Sequence, residues 1–275
     1  MTDPRVLPWR EDLAARSLEG AVPAERYADP TPMQVRVPAA GVRKSPDPQS
    51  EQVDQLLAGE RFAVLEIAGG LAWGQVSRDG YVGYVAAEAL GPLGPPPTHR
   101  LAARLSYAFA RPDIKAPPAG PFSMNALMRL EDEEAGFSRT PFGWMRTSHF
   151  RPIGVFEDDP AAVAERFLGA AYRWGGREGS GLDCSGLVQQ ALFACGRACP
   201  RDSDLQEGLG APVEPAALRR NDLVFWAGHV AIMLDEARIV HANGFHMAVA
   251  VEPLAEAVAR IEAAGGGRPV AYRRL

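Results

Sequence analysis

Near residue 155 the 275-residue chain changes pattern, and a chain that does so cannot be built around one repeated architecture. Before that point short β-prone runs, such as Phe62-Ala63-Val64-Leu65-Glu66-Ile67 and Trp73-Gly74-Gln75-Val76, are broken by Gly and Pro. That is the pattern of small all-β modules. After it, helical and strand patterns alternate, as in an α+β domain. The length also exceeds that of a usual single domain, so two or three domains are expected.

The β-prone half reads as an ordered duplication. Its first copy runs through Gly59-Glu60-Arg61-Phe62, Ala72-Trp73-Gly74-Gln75-Val76 and Gly80-Tyr81-Val82-Gly83-Tyr84-Val85. The second runs through Asn125-Ala126-Leu127-Met128, Ala135-Gly136-Phe137-Ser138-Arg139 and Pro141-Phe142-Gly143-Trp144-Met145. Each ends on a glycine between aromatics, and in a small barrel such a glycine marks a bend where no side chain fits. The Pro-rich Gly91-Pro92-Leu93-Gly94-Pro95-Pro96-Pro97 between the copies reads as a stiff linker. Leu13, Leu18 and Val22 are too sparse to decide whether the stretch before Thr31 packs.

In the second half, Asp159-Pro160 caps and opens a helix with Val163, Phe167 and Leu168 on its apolar side. A Gly-rich loop, Trp174-Gly175-Gly176-Arg177-Glu178-Gly179-Ser180-Gly181, leads into Leu182-Asp183-Cys184-Ser185-Gly186-Leu187-Val188. Leu187, Val188, Ala191, Leu192 and Cys195 fall at helical spacing, so Cys184 stands at a helix N-terminus. Free amides and the helix dipole there favour an anion, which predicts a lowered thiol pKa and donors for an oxyanion. A buried free Cys is the ordinary alternative, but Asp183, Ser185 and Gly186 make a poor core. Cys195 and Cys199 offer one loose metal-like spacing without a His partner, and no metal or cofactor is expected.

Two of the five histidines have a pattern around them. His229 starts the run Val230-Ala231-Ile232-Met233-Leu234, after Asp222-Leu223-Val224-Phe225-Trp226 and the turn Ala227-Gly228, as in two adjacent antiparallel strands. His241 ends Arg238-Ile239-Val240, the next strand, so in a sequential sheet the two imidazoles are neighbours. His229 would then serve Cys184 as base and later acid, with His241 on its other ring nitrogen to fix the tautomer. His99, His149 and His246 show no such partnership.

Charge and composition exclude other classes. The net charge of -5 is spread along the chain with no basic block, which argues against a nucleic-acid partner. No stretch resembles a signal peptide or a spanning helix, and three clustered cysteines make a poor disulfide framework. A cytoplasmic protein with no membrane association is expected.

The two β copies resemble bacterial SH3-like domains, across residues 31–91 and 98–152, after an N-terminal arm of residues 1–30. Asp183-Cys184-Ser185-Gly186, Gly228-His229-Val230-Ala231-Ile232 and His241-Ala242 resemble the three signature blocks of the NlpC family of cell-wall cysteine peptidases, across residues 157–275. That resemblance implies a papain-like α+β fold, Cys184 as nucleophile, His229 as base and His241 as the third, polar member. It further implies cleavage of a γ-D-glutamyl bond to a diamino acid in murein stem peptides.

The combination with SH3-like domains is similar to the γ-D-glutamyl-L-diamino acid endopeptidases of murein recycling. In that branch Pro200-Arg201-Asp202-Ser203 corresponds to the segment whose Asp and Ser meet the free amine of an N-terminal L-Ala. Ordinary turn or cap chemistry is the alternative for these two residues. Ser185, Trp174 and an aromatic of the first SH3-like module, Tyr81 before Tyr84, are the other expected substrate contacts, Tyr84 being read as the barrel-closing ring. The expected partner is a murein-derived peptide. An inactive murein-binding scaffold and a thiol amidase or acyltransferase of the same fold stand as alternatives. Diaminopimelate versus lysine, and the oligomeric state, are open.

Overall fold

Alternation along Arg61–Ala68 turns Phe62 and Val64 toward one side and Leu65 toward the other, and both sides are covered. The computed structural model describes residues 3–275 and divides into two compact units between Ile153 and Gly154. In the N-terminal unit, residues 31–92 form a seven-stranded antiparallel sheet. Its order is Gln52–Leu57, Ala39–Arg43, Val82–Ala86, Leu71–Val76, Arg61–Ala68, Thr31–Val35, Leu90–Pro92. Val42, Leu56, Phe62, Val64, Val76, Tyr81 and Val85 fill its core. A Cβ on Gly83 would lie 2.5 Å from Val42 Cγ1 and 2.7 Å from the Arg43 carbonyl oxygen, so the predicted glycine bend is a close strand approach.

The stretch before Thr31 packs. Leu13 and Ala15 bury against Leu65 and Trp73, and the Arg10 guanidinium lies 4.3 Å over the Trp73 ring while donating to Glu66. Burial of Leu13 and the cation–π contact are what hold so sparse a segment.

Residues 99–152 form a three-stranded and a five-stranded sheet around Leu101, Ala108, Phe122, Met128, Met145 and Phe150. Leu57 and Ala58 of the preceding module belong to this same core, so the two modules are not beads on a spacer. The Pro-rich segment between them, expected as a stiff linker, is tied down instead. Its start lies in the strand Leu90–Pro92, and the Gly94 amide donates to Gln34 Oε1 at 3.1 Å.

The C-terminal unit packs helices on a sheet of nine strands among the described residues. Its central run is sequential and antiparallel: Ala248–Pro253, Arg238–Asn243, His229–Met233, Leu223–Trp226. Helix α1, Pro160–Glu165, is capped by Asp159, whose carboxylate accepts from the Ala162 amide at 3.2 Å. Val163 and Phe167 are buried as expected, but Leu168 lies past the helix end and is 44% exposed. Helix α2, Cys184–Ala194, is buried on every side, not on one apolar face, because it lies between α1 and the strands His229–Met233 and Arg238–Asn243. Helix α3 is the short Ser203–Gln206. Helix α4, Leu254–Ala263, covers the other face through Leu254, Ala257, Val258 and Ile261, against Val224, Trp226, Ala231, Met233 and Ile239.

Candidate active site

The site is built from the start of α2. Asp183 caps it: Oδ1 accepts from the Gly186 amide at 2.8 Å, and Oδ2 accepts from the Gly175 amide at 2.8 Å. Arg201 closes the arrangement with two bonds to that carboxylate, Nη1 to Oδ1 at 3.0 Å and Nη2 to Oδ2 at 2.6 Å. This is a bidentate ion pair in the interior, the geometry that best offsets the cost of burying charge. Gly186 permits the loop to approach, since a Cβ there would sit 2.3 Å from the Gly176 carbonyl oxygen.

Cys184 follows the cap with 6% of its surface exposed. Its sulfur receives the backbone amides of Val230 and Ser185. Val230 is the residue after His229, and its amide reaches the sulfur where the ladder between His229–Met233 and Arg238–Asn243 stops, the last pair being Ile232 with Val240.

The two histidines meet as the strand order predicts. His229 Nε2 and His241 Nδ1 lie 2.8 Å apart, and the Trp226 ring stands 5.6 Å from that of His229. Beyond them, His241 Nε2 lies 2.7 Å from Glu252 Oε1, which also accepts from Arg260. Glu252 and Arg260 carry no motif in the sequence. Only the pairing of Ile239 with Glu252 in the next strand brings the carboxylate beside His241.

The expectation of a lowered Cys184 pKa is corrected. Burial, reinforced by the Asp183 carboxylate, pushes the thiol up to about 12, and the Val230 and Ser185 amides and Arg201 oppose this without overcoming it. Burial likewise lowers both imidazoles, His229 and His241, to about 3, with the Arg260 guanidinium acting in the same direction. The resting pair at neutral pH is thus thiol and neutral imidazole.

The histidines make stability depend on pH. A folded pKa of about 3 against 6.5 unfolded favours the native state above pH 6.5, and that contribution is lost as pH falls from 6.5 toward 3. Urea midpoints at pH 7 and pH 4 should therefore fall less in His241→Asn than in the parent chain. Equal falls in the two proteins would remove the histidines from the acid response.

The remaining predicted residues divide by placement. Asp202 stands at the cap position of α3 but its carboxylate makes no capping bond, and Ser203 is buried. Both lie between Arg201 and Gln206, whose Nε2 donates to the Ser185 carbonyl at 3.0 Å, so the segment is fastened beside the nucleophile. Trp174 is 58% exposed and so stands outside the core. Ser185 turns inward: its hydroxyl donates to Asp183 Oδ1 at 3.2 Å and accepts from Arg201 at 2.8 Å. Its hydroxyl is thus engaged by the cap and by Arg201, while its amide serves the sulfur.

Tyr81 is 5% exposed within the first module's core, whereas Tyr84 is half-buried with its hydroxyl accepting from Arg10 at 3.1 Å. Tyr172 is a residue the sequence reading missed. Burial first, then the neighbouring Cys184, raises its phenol above the usual range, which keeps it a hydrogen-bond donor beside the sulfur. Pairing of Tyr172 with Leu182 across parallel strands brings it there.

Ligand atoms of His241, His246 and Glu252 lie within 4.8 Å of one another. The Arg260 guanidinium on Glu252 sets a positive charge against a cation at that point.

Comparison with known proteins agrees with this geometry. Over 122 residues the chain is 31% identical to dipeptidyl-peptidase 6 of Lysinibacillus sphaericus, covering 42% of this chain and 44% of that protein. It is 32% identical over 105 residues to gamma-D-glutamyl-L-lysine dipeptidyl-peptidase of Bacillus cereus, covering 35% and 32% respectively. The match thus spans less than half the length of these curated relatives. The crystal structure of a NlpC/P60 family protein from Bacillus cereus shares the fold, with a TM-score of 0.77 over 89% of this chain and 99% of that one at 20% identity. The bacterial dipeptidyl-peptidase Sh3 domain model matches residues 42–90, and the NlpC/P60 family model matches residues 169–264. With the buried cysteine at the head of α2 and the paired histidines on adjacent strands, the C-terminal unit is an NlpC/P60 domain of papain-like fold, joined in one chain to a bacterial SH3 domain.

Proposed function

We propose that the chain is a cysteine peptidase that cuts the γ-D-glutamyl bond to meso-diaminopimelate or L-Lys in murein-derived peptides with a free N-terminal L-Ala. The observation that carries this reading is the Cys184 sulfur on the Val230 and Ser185 amides, one residue from the hydrogen-bonded pair His229 and His241. On this reading residues 98–152 are a second, diverged SH3-like module. Its Gly143 repeats the close approach of Gly83, a Cβ there lying 2.7 Å from the Phe109 carbonyl oxygen.

In the reaction, the Cys184 thiol gives its proton to His229 as the sulfur attacks the γ-carbonyl carbon of D-Glu. Amides at the head of α2 and the Tyr172 phenol stabilise the oxyanion. The tetrahedral adduct collapses, the C–N bond breaks, and His229 returns the proton to the departing amine of the diamino acid. Water then adds to the thioester with His229 as base, releasing L-Ala-γ-D-Glu and the free thiol. Three cysteines, none in a disulfide, suit a reducing compartment, and recycling of small peptides in the cytoplasm is the role proposed.

Asp202 and Ser203 are proposed to receive the L-Ala ammonium, Asp202 through a charge-assisted hydrogen bond. N-acetylation of L-Ala-γ-D-Glu-meso-diaminopimelate should therefore lower kcat/KM by about 30-fold, the effect of losing one charged hydrogen bond. Competing the two peptides in one reaction and separating the products by chromatography measures the ratio. Equal cleavage would end the free-amine requirement.

A further inference from the structure

Resting on the peptidase reading above, we infer that Glu252, held by Arg260, is a positioning residue that sets the tautomer of both histidines and so leaves the Nδ1 lone pair of His229 for the Cys184 proton. The inference follows the hydrogen bonds inward from α4. Arg260 has only donors, and it donates to Glu252 Oε1. The same oxygen lies 2.7 Å from His241 Nε2 and accepts there too, so His241 carries its proton on Nε2. A neutral His241 then presents Nδ1 as an acceptor. The atom facing it at 2.8 Å is His229 Nε2, which must carry the proton of that ring. His229 Nδ1 is left as a base.

The order of charges matters, because Arg260 would reverse the relay if Glu252 were gone. Its guanidinium would then donate to His241 Nε2 and move that proton to Nδ1. His229 Nε2 would become the acceptor, and Nδ1 would carry a hydrogen toward the thiol. A ring in the wrong tautomer cannot take a proton, although every side chain of the triad is still present. His246 is the other titratable group on His241, and it offers no carboxylate to replace Glu252.

The test uses the full chain with L-Ala-γ-D-Glu-L-Lys as substrate. Glu252→Leu should lower kcat by about 100-fold, within the range of a lost general base, while KM stays within about twofold. Glu252→Gln, whose Oε1 accepts from both His241 and Arg260, should restore kcat to within about fivefold of the parent. In the parent chain, long-range proton–nitrogen spectra of the imidazoles should show His229 and His241 both protonated on Nε2, and in Glu252→Leu both on Nδ1. An Nδ1-protonated ring in the parent, or a Glu252→Leu kcat within about threefold of it, overturns the inference. Activity surviving in Cys184→Ala would instead overturn the peptidase reading on which it rests.

Discussion

Cys184→Ala should lose at least about 10⁴-fold in turnover of L-Ala-γ-D-Glu-meso-diaminopimelate, the scale on which removal of a covalent nucleophile is felt. Without the sulfur no thioester forms, and water would have to attack an unactivated amide in a site shaped for a bound acyl group. Cys184→Ser should be nearly as poor. A hydroxyl is far less acidic than a thiol and its oxygen a far poorer nucleophile when neutral, so the imidazole that serves the sulfur does not serve it. The fold should survive, because alanine removes one atom from a site whose packing comes from α1 and the neighbouring strands. Thermal unfolding of the alanine variant should stay within about 1 kcal/mol of the parent, since only two amide bonds to sulfur are lost. Chromatographic assay of released L-Ala-γ-D-Glu, with circular dichroism as the folding control, separates loss of chemistry from loss of structure. Residual turnover at a tenth of the parent rate would move the nucleophile elsewhere.

The parts of this site legible in the sequence are those with a local signature. Asp183 before the apolar periodicity of α2 announces a cap and so places Cys184, and the turn Ala227-Gly228 between two strand patterns makes His229 and His241 neighbours. The Glu252–Arg260 pair and Tyr172 have no such signature. Glu252 and Tyr172 each depend on a register between strands, where a one-residue slip would carry them to the opposite face, and Arg260 depends on how α4 docks on the sheet. The shared core of the two β modules was hidden for a similar reason. Leu57 and Ala58 read as the end of one strand, and nothing local says that they pack under Leu101 and Phe122. The thiol pKa failed differently: the helix N-terminus was read correctly, but desolvation, which only burial reveals, is the larger effect.

Arg201→Met should destabilise the C-terminal unit by about 3 kcal/mol, the lower end of the cost of leaving one partner of a buried ion pair alone. The loss stays at that end because Asp183 keeps donors after the change: the Gly175 and Gly186 amides and the Ser185 hydroxyl. A loss of this size lowers the melting temperature by roughly 10 °C for a unit of this length. Asp183→Asn should partly reverse it. Asparagine keeps an oxygen for the Gly186 amide, and therefore the cap of α2, while removing the charge that Arg201 was there to meet. The double variant should thus recover about half of what Arg201→Met loses, a coupling that urea unfolding of the four proteins measures directly. Strictly additive losses would mean that the bidentate bond contributes nothing beyond packing. Turnover should fall in Arg201→Met even at temperatures where the chain is folded. Arg201 reaches Ser185 as well as Asp183, so its loss loosens the two residues on either side of the nucleophile.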